Sequence, residues 1–304
     1  MELHHLRSFR EVARERSFTT AAKNLLLTQP AVSQQVKALE VELGERLFDR
    51  KGRDVKLTPA GDILLEAAER MFSAADDAAR RIRETKTSEE GTVVIACGDT
   101  VALYLLPPVL TKFRKRFPKA EVTVRNHGSR RILELLLTEP IDLAVATAPP
   151  HLDPAFESAP LLEETLVLAL PPDHALAKKG VATLAELEGE SAVWLAKPSV
   201  TRSIIERGLK ATNTRLATAM ESGNLEVVKA YVARGFGLTI LPAMAVTEDD
   251  RRRLAVHPLP AGFPKRKLVV LRRKDRFQTK LARELTTILA AETSALRSPK
   301  PRGT

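Results

Sequence analysis

Over its first sixty positions the chain repeats apolar residues at helical spacing. Leu3, Leu6, Phe9 and Ala13 share one face of a first helix. Ser17 and positions 19–25 predict a second, and positions 28–43 (TQPAVSQQVKALEVEL) a third. The stretch 50–57 (RKGRDVKL) reads as a basic hairpin with Gly52 at its turn. Thr58-Pro59 then opens a longer helix. Thr caps it, and Pro takes the first helical position, where a missing N–H costs nothing. That helix should reach about position 85. Ile63, Leu64, Ala67, Ala68, Met71, Phe72, Ala75, Ala79 and Ile82 make it too apolar on one side to stand alone. A partner helix is expected, most simply the same helix of a second chain. TKTSEEG, 85–91, reads as a linker.

After Gly91 the pattern changes. TVVIAC is an apolar run suited to a buried parallel strand. A helix follows through Phe117, then EVTVRNH, a helix from Ser129, and DLAVAT. This is βαβαβ, so a parallel sheet with right-handed crossovers is expected. TLVLAL, 165–170, starts a second series: AVWLA, a helix from about Thr201, ATAME, a helix from about Asn224, and GLTILP. KLVVLRR and a helix from about Phe277 close the fold, and the tail 298–304 reads as disordered. The expected class is α/β with a helical front end. The domains would be 1–58, a linker helix 59–90, and 91–304. The last splits into one lobe of about 91–162 plus 267–296 and another of about 163–266.

Length and charge narrow the picture. The 304 residues fit two to three domains at roughly 100–200 residues each. Lys and Arg number 48 against 38 acids, a net charge of +10. That favours an anionic partner such as nucleic acid, although many proteins carry such a charge for solubility alone. Cys97 is the single cysteine, which excludes an intramolecular disulfide and fits a reducing compartment. The first residues hold no apolar signal core, and no stretch reaches the ~18 apolar residues of a membrane span. A cytoplasmic protein with no membrane contact is expected.

The third helix carries distinctive chemistry. At about 100° per residue, Gln29, Pro30, Ser33, Gln34 and Lys37 fall on one arc, and Val32, Val36, Leu39 and Leu43 on another. The apolar arc would pack on the preceding helix, where Ala21 and Ala22 permit close approach. Base edges in the major groove need neutral donors and acceptors at short reach: Gln for adenine, Ser for several edges, Lys for guanine or phosphate. Thr28 would cap the helix, and its first N–H groups could meet a phosphate. Arg50, Lys51, Arg53 and Lys56 would contact phosphates from the hairpin. The plainer alternative is a polar face in water.

The stretch SFTTAAKNLLLTQPAVSQQVKALEVELGERLFDRKGRDVKLTPAG resembles the winged helix-turn-helix of LysR-type transcriptional regulators, and the order of elements matches from Leu3 through the linker helix. Residues 91–295 resemble, more loosely, the effector domain of that family, a two-lobed α/β fold similar to periplasmic binding proteins. The resemblance implies Gln29, Ser33, Gln34 and Lys37 at base edges or nearby phosphates, and Arg50 and Arg53 at the wing. It also implies dimerisation through the linker helix and a homotetramer on double-stranded operator DNA.

Strand ends direct attention to loops of the second half, because ligands of open α/β folds lie beyond the carboxyl ends of the strands. Gly98-Asp99-Thr100, Gly128-Ser129-Arg130, Thr147, 197–202 (KPSVTR) and Ser222-Gly223-Asn224 follow five predicted strands. Hydroxyls at helix starts make anion sites, or serve as ordinary caps. Arg130, Arg131 and Arg202 could add charge. The family's effectors bind between the lobes at matching loops, which points to Thr100, Ser129, Thr147, Thr201 and Ser222. SGNLEVVKAYVARGFGLTILPAMAV most resembles the branch that senses sulfate-related compounds, so a small carboxylate or sulfate-like anion is the expected effector.

Other signals carry less. His4-His5 lacks partner ligands for a metal. No Gly-x-Ser-x-Gly elbow is present, and Gly235-Phe-Gly237 lacks the third glycine of a dinucleotide fingerprint. Cys97 reads as a small core residue. No cofactor, metal or catalytic residue is expected. The rivals are an enzyme whose front end only dimerises, and a non-specific architectural DNA binder. The reading adopted is a ligand-responsive regulator in which effector binding alters DNA-domain spacing, DNA bending and contact with RNA polymerase.

Overall fold

A computed structural model of the chain describes residues 1–49, 55–86, 89–179 and 183–297. The chain divides into two compact units, Met1–Ile82 and Arg83–Thr304.

The first unit contains α1 (Leu3–Glu15), α2 (Phe18–Asn24), α3 (Gln29–Leu43), β1 (Phe48–Asp49), β2 (Lys56–Leu57) and all but the last turn of α4 (Pro59–Lys86). Local chemistry sets the starts. The Ser17 hydroxyl accepts the Thr20 N–H at 3.2 Å, and the Thr58 hydroxyl accepts the Gly61 N–H at 3.1 Å. Gly44 ends α3 in a left-handed conformation at φ 70°, which costs a glycine least. Gly61 has a different reason. A Cβ there would stand 2.2 Å from the Leu47 carbonyl oxygen, so α4 could not lie against that segment. Leu6, Phe9 and Val12 of α1 meet Ala21, Ala22, Val32, Val36 and Leu39 in one core. Leu3 and Leu43, expected on the apolar faces, are exposed instead; each lies at the end of its helix, beyond the reach of the neighbouring elements. β1 and β2 pair antiparallel, as a hairpin requires. Its turn, with Arg50, Gly52 and Arg53, lies outside the described residues, as does the tail 298–304.

The second unit runs β3 (Gly91–Cys97), α5 (Leu106–Arg116), β4 (Ala120–Asn126), α6 (Ser129–Thr138), β5 (Leu143–Thr147), β6 (Phe156–Glu164), β7 (Leu166–Leu170) and β8 (Ser191–Leu195). It continues with α7 (Val200–Ala211), β9 (Ala217–Ser222), α8 (Leu225–Val232), β10 (Thr239–Pro242), α9 (Glu248–Arg253), β11 (Ala255–Pro258), β12 (Arg266–Arg273) and α10 (Lys280–Arg297). One lobe is a five-stranded sheet in the order β4-β3-β5-β12-β6. Apolar residues of α5 and α10 cover one face of it, and those of α6 the other. The second lobe joins β10-β7-β11 to β8-β9 through a bridge between Ala192 and Leu238.

Four details depart from the sequence expectation. The first sheet is mixed, not parallel: β3 pairs parallel with β4 and β5, but β12 pairs antiparallel with β5 and β6. β6 escapes a hydrophobic pattern because it holds Pro160, which an edge strand tolerates at its bulge opposite Val269. Positions 100–117 do not form one helix. Val101–Leu105 is a π-helical turn that precedes α5, where Pro107 and Pro108 supply no N–H to continue an α ladder. β11 is four residues long, and α9 (EDDRRR) has no apolar period, so neither leaves a pattern to find. The linker is also shorter than 85–91, since α4 runs through Lys86.

Candidate functional site

Two places collect polar groups that the fold itself does not use. The first is α3. Its N-cap Thr28 hydroxyl accepts the Ala31 N–H at 3.4 Å, and Pro30 occupies the first turn. Val32, Val36 and Leu39 are fully buried and anchor the helix. Gln35 is bonded by the Ser8 hydroxyl of α1, which fixes the rotation of α3 about its axis. Gln29, Gln34 and Lys37 are exposed and Ser33 half-exposed on the opposite side. None of these four side chains makes a hydrogen bond or ion pair within the described residues. A rigid helix thus presents neutral donors and acceptors plus one cation, with no acid among them. α4 is tied to α1 by a two-bond Arg14–Glu69 pair at 2.8 and 2.9 Å. It leaves Ile63, Met71 and Ile82 exposed.

The second place is a cavity of 380 Å³ between the two lobes of the second unit. Thr100, Ser129, Thr147 and Thr201 line it. Ser222 does not: its hydroxyl accepts the Asn224 N–H at 3.3 Å, and Gly223 takes the place in the wall. Neither Arg130 nor Arg131 reaches the wall, and Arg131 pairs with Glu134. Arg202 is buried with its guanidinium 3.9 Å from the Trp194 ring centre and 2.8 Å from Glu206, so it holds the second lobe together instead.

Arg266 is a wall residue that strand-end reasoning passes over. It stands at the amino end of β12. In an antiparallel strand, that end lies beside the carboxyl ends of its neighbours, here two positions before the pairing of Leu268 with Thr147. The Arg266 guanidinium donates to Glu164 at 2.6 and 2.8 Å, and both side chains are 4 % exposed. Arg266 also reaches the Thr201 hydroxyl at 3.5 Å. Its charge is therefore neutralised, and its guanidinium orients Thr201.

Behind the cavity wall lies a buried ionic cluster that spans the lobes. Lys229 of α8 is completely buried. Its ammonium contacts Asp250 at 2.6 Å, the Ala245 carbonyl and Glu226 at 2.8 Å, and the Tyr104 hydroxyl at 3.0 Å. Tyr104 comes from the π-helical turn of the first lobe, and its hydroxyl also donates to Glu226. Burial alone would raise the Asp250 pKa. Hydrogen bonds from Lys229, the Thr247 N–H and Arg253 outweigh it and hold the carboxyl well below the usual range. Leu225 and Val101, which flank this cluster in sequence, both line the cavity. Cys97 is fully buried, and burial, aided by the charge of Asp99, pushes its thiol up to about 12. It is a packing residue and not a nucleophile.

Residues 3–62 match the model for the bacterial regulatory helix-turn-helix of the lysR family, and residues 86–294 match the LysR substrate binding domain. A probable RuBisCO transcriptional regulator of Cyanidioschyzon merolae is 31% identical over 286 residues, covering 92% of this chain and 94% of its own. Full-length OxyR from Pseudomonas aeruginosa has the same fold, with a TM-score of 0.74 at 24% identity over 96% of this chain and 94% of that one. Full-length CbnR, solved in complex with its target DNA, gives a TM-score of 0.64 at 24% identity over 96% and 100% of the two chains. Among the described residues no helix is long and apolar enough to cross a membrane.

Proposed function

We propose that this chain, which belongs to the LysR family of helix-turn-helix transcriptional regulators, reads duplex DNA through the exposed arc of α3 and answers to a small anionic effector between its lobes. The family carries the broader statement: the chain is a LysR-type transcriptional regulator with a DNA-binding helix-turn-helix and an effector-binding domain.

One observation carries the DNA assignment. Gln29, Ser33, Gln34 and Lys37 are unengaged on a helix whose other face is locked in the core. Such groups suit base edges, while Arg50 and Arg53, in the sequence between β1 and β2, would hold phosphates. The exposed Ile63, Met71 and Ile82 of α4 support pairing of that helix with its copy in a second chain, giving a homodimer and then a homotetramer on DNA.

For the effector, Thr147 is the most telling wall residue. It is 6% exposed, and its hydroxyl has no partner among the described residues. Thr100 and Ser129 also offer unpartnered hydroxyls, and α6 starts with no side-chain cap, leaving first-turn N–H groups open to an anion. An occupant touching both lobes favours one lobe arrangement over another, and only differential affinity for two states can switch DNA spacing and polymerase contact. Half-site footprints with and without an anion that binds the cavity test the switch. Unchanged footprints would contradict it.

A further inference from the structure

Formal charge around the inter-lobe cavity has a sign opposite to that of the whole chain. Two cations line the wall, Arg266 and Lys197, and each has a carboxylate partner. Arg266 is paired with Glu164; the Lys197 ammonium lies 3.0 Å from Glu206, a carboxylate it shares with Arg202, which in turn has Glu221 at 3.7 Å, so these two cations are matched by two acids. Asp99 lines the same wall, and among the described residues no cation stands within ion-pair distance of it. Its one side-chain partner is the neutral amide of Asn126. His127, the other titratable group there, makes no ion pair. The uncompensated side-chain charge of the wall is thus a single negative one. A bare sulfate or dicarboxylate would meet it with no counterion.

The same lobe supplies groups that need an acceptor: the Thr100, Ser129 and Thr147 hydroxyls and the uncapped start of α6. Asp99 and Thr100 follow β3, and Ser129 follows β4. These two strands are paired, with Cys97 opposite Asn126. Paired strands lie about 4.8 Å apart, a span that one small molecule covers. A donor-rich end and a carboxylate therefore face one occupant side by side.

We infer that the effector is an amino-acid-like zwitterion. Its carboxylate meets the hydroxyls and the α6 N–H groups, and its ammonium meets Asp99. This rests on the reading of the cavity as an anion site and adds the second charged group that the ligand must carry. Asn126 acts as a positioning residue, since its amide orients the Asp99 carboxylate.

The test is calorimetric titration of the full-length protein with three probe sets. These are the common L-amino acids, the deamino carboxylic acid of each amino acid that binds, and simple anions (sulfate, succinate). The expected result is an amino acid that binds about tenfold or more tighter than its deamino acid, as a charge-assisted hydrogen bond gives. Asp99→Asn should abolish that ratio by weakening the amino acid alone. The unfolding temperature of the free protein should stay unchanged, because Asp99 lies in no core. If sulfate, succinate or a deamino acid binds as tightly as any amino acid, the zwitterion is overturned and the anion site survives. If Asp99→Asn leaves the ratio intact, the assignment of Asp99 is overturned. If no probe binds, or if binding ignores Thr147→Val, both the zwitterion and the anion site are overturned.

Discussion

Gln29, Gln34 and Lys37 stand exposed on α3 with no partner in the described chain, whereas Arg266 and Lys197, the cations of the inter-lobe cavity, each hold a carboxylate. Both places are rich in polar residues, yet only the first leaves its cation free. The difference is one of shape. A convex helix face keeps its groups in water, where an unpaired charge costs little. Arg266, buried in the cavity wall, cannot do the same, because an unpaired buried charge is expensive, so its carboxylate is built in, while the exposed Lys197 pairs with Glu206 at the surface. A net charge of +10 is therefore informative about the outer surface and misleading about the cavity. What the cavity leaves open is hydroxyls, N–H groups and Asp99.

The contrast can be broken most forcefully at Lys229. Lys229→Met would strand the buried carboxyl of Asp250 and should cost about 3–5 kcal/mol in urea unfolding of the effector unit. A loss below ~1 kcal/mol would mean that the buried cations are not structural. Acid should reveal the same pairing. The folded-state pKa of Asp250 is lowered, so its contribution is full above the unfolded value of about 3.9 and is lost as pH falls below it. Unfolding free energy measured from pH 7 downward should therefore drop below about pH 4, and a flat profile there would count against the cluster.

On the convex side the expected effect is on binding and not on folding. Gln34→Ala should lower discrimination between operator and scrambled duplex by roughly 1–3 kcal/mol if the amide makes a bidentate base contact. Its unfolding midpoint should stay within the ~0.5 kcal/mol usual for a surface change. Smallest of all is Thr147→Val, which should shift stability by less than ~0.5 kcal/mol, since the hydroxyl it removes has no partner, while abolishing the response to effector. A clear loss of stability in thermal unfolding would mean that this hydroxyl serves the fold instead.

The two places also differ in how far the sequence revealed them. α3 was legible because its information is local: Thr28 as cap, and an apolar arc and a polar arc within sixteen positions. Thr100, Ser129, Thr147 and Thr201 could be placed near the cavity because strand ends are also local features. Arg266 could not. Its partner Glu164 lies 102 positions away, and the antiparallel turn of β12 that brings it to the wall leaves no trace in an alternating pattern. The Lys229 cluster was hidden for the same reason, since Tyr104 lies 125 positions from the ammonium it meets. β6 was missed because Pro160 and a bulge interrupt its hydrophobic run.

The central claim is a division of labour in the amino-terminal unit: α3 reads sequence, and the hairpin supplies affinity. The direct measurement is the affinity of wild type, Gln34→Ala and Arg53→Ala for operator and for scrambled duplex at one fixed salt concentration. Gln34→Ala should lower the operator-to-scrambled ratio about tenfold or more, while Arg53→Ala should weaken both duplexes alike and leave the ratio unchanged. Two variants that change affinity and ratio in the same way would contradict this division of labour.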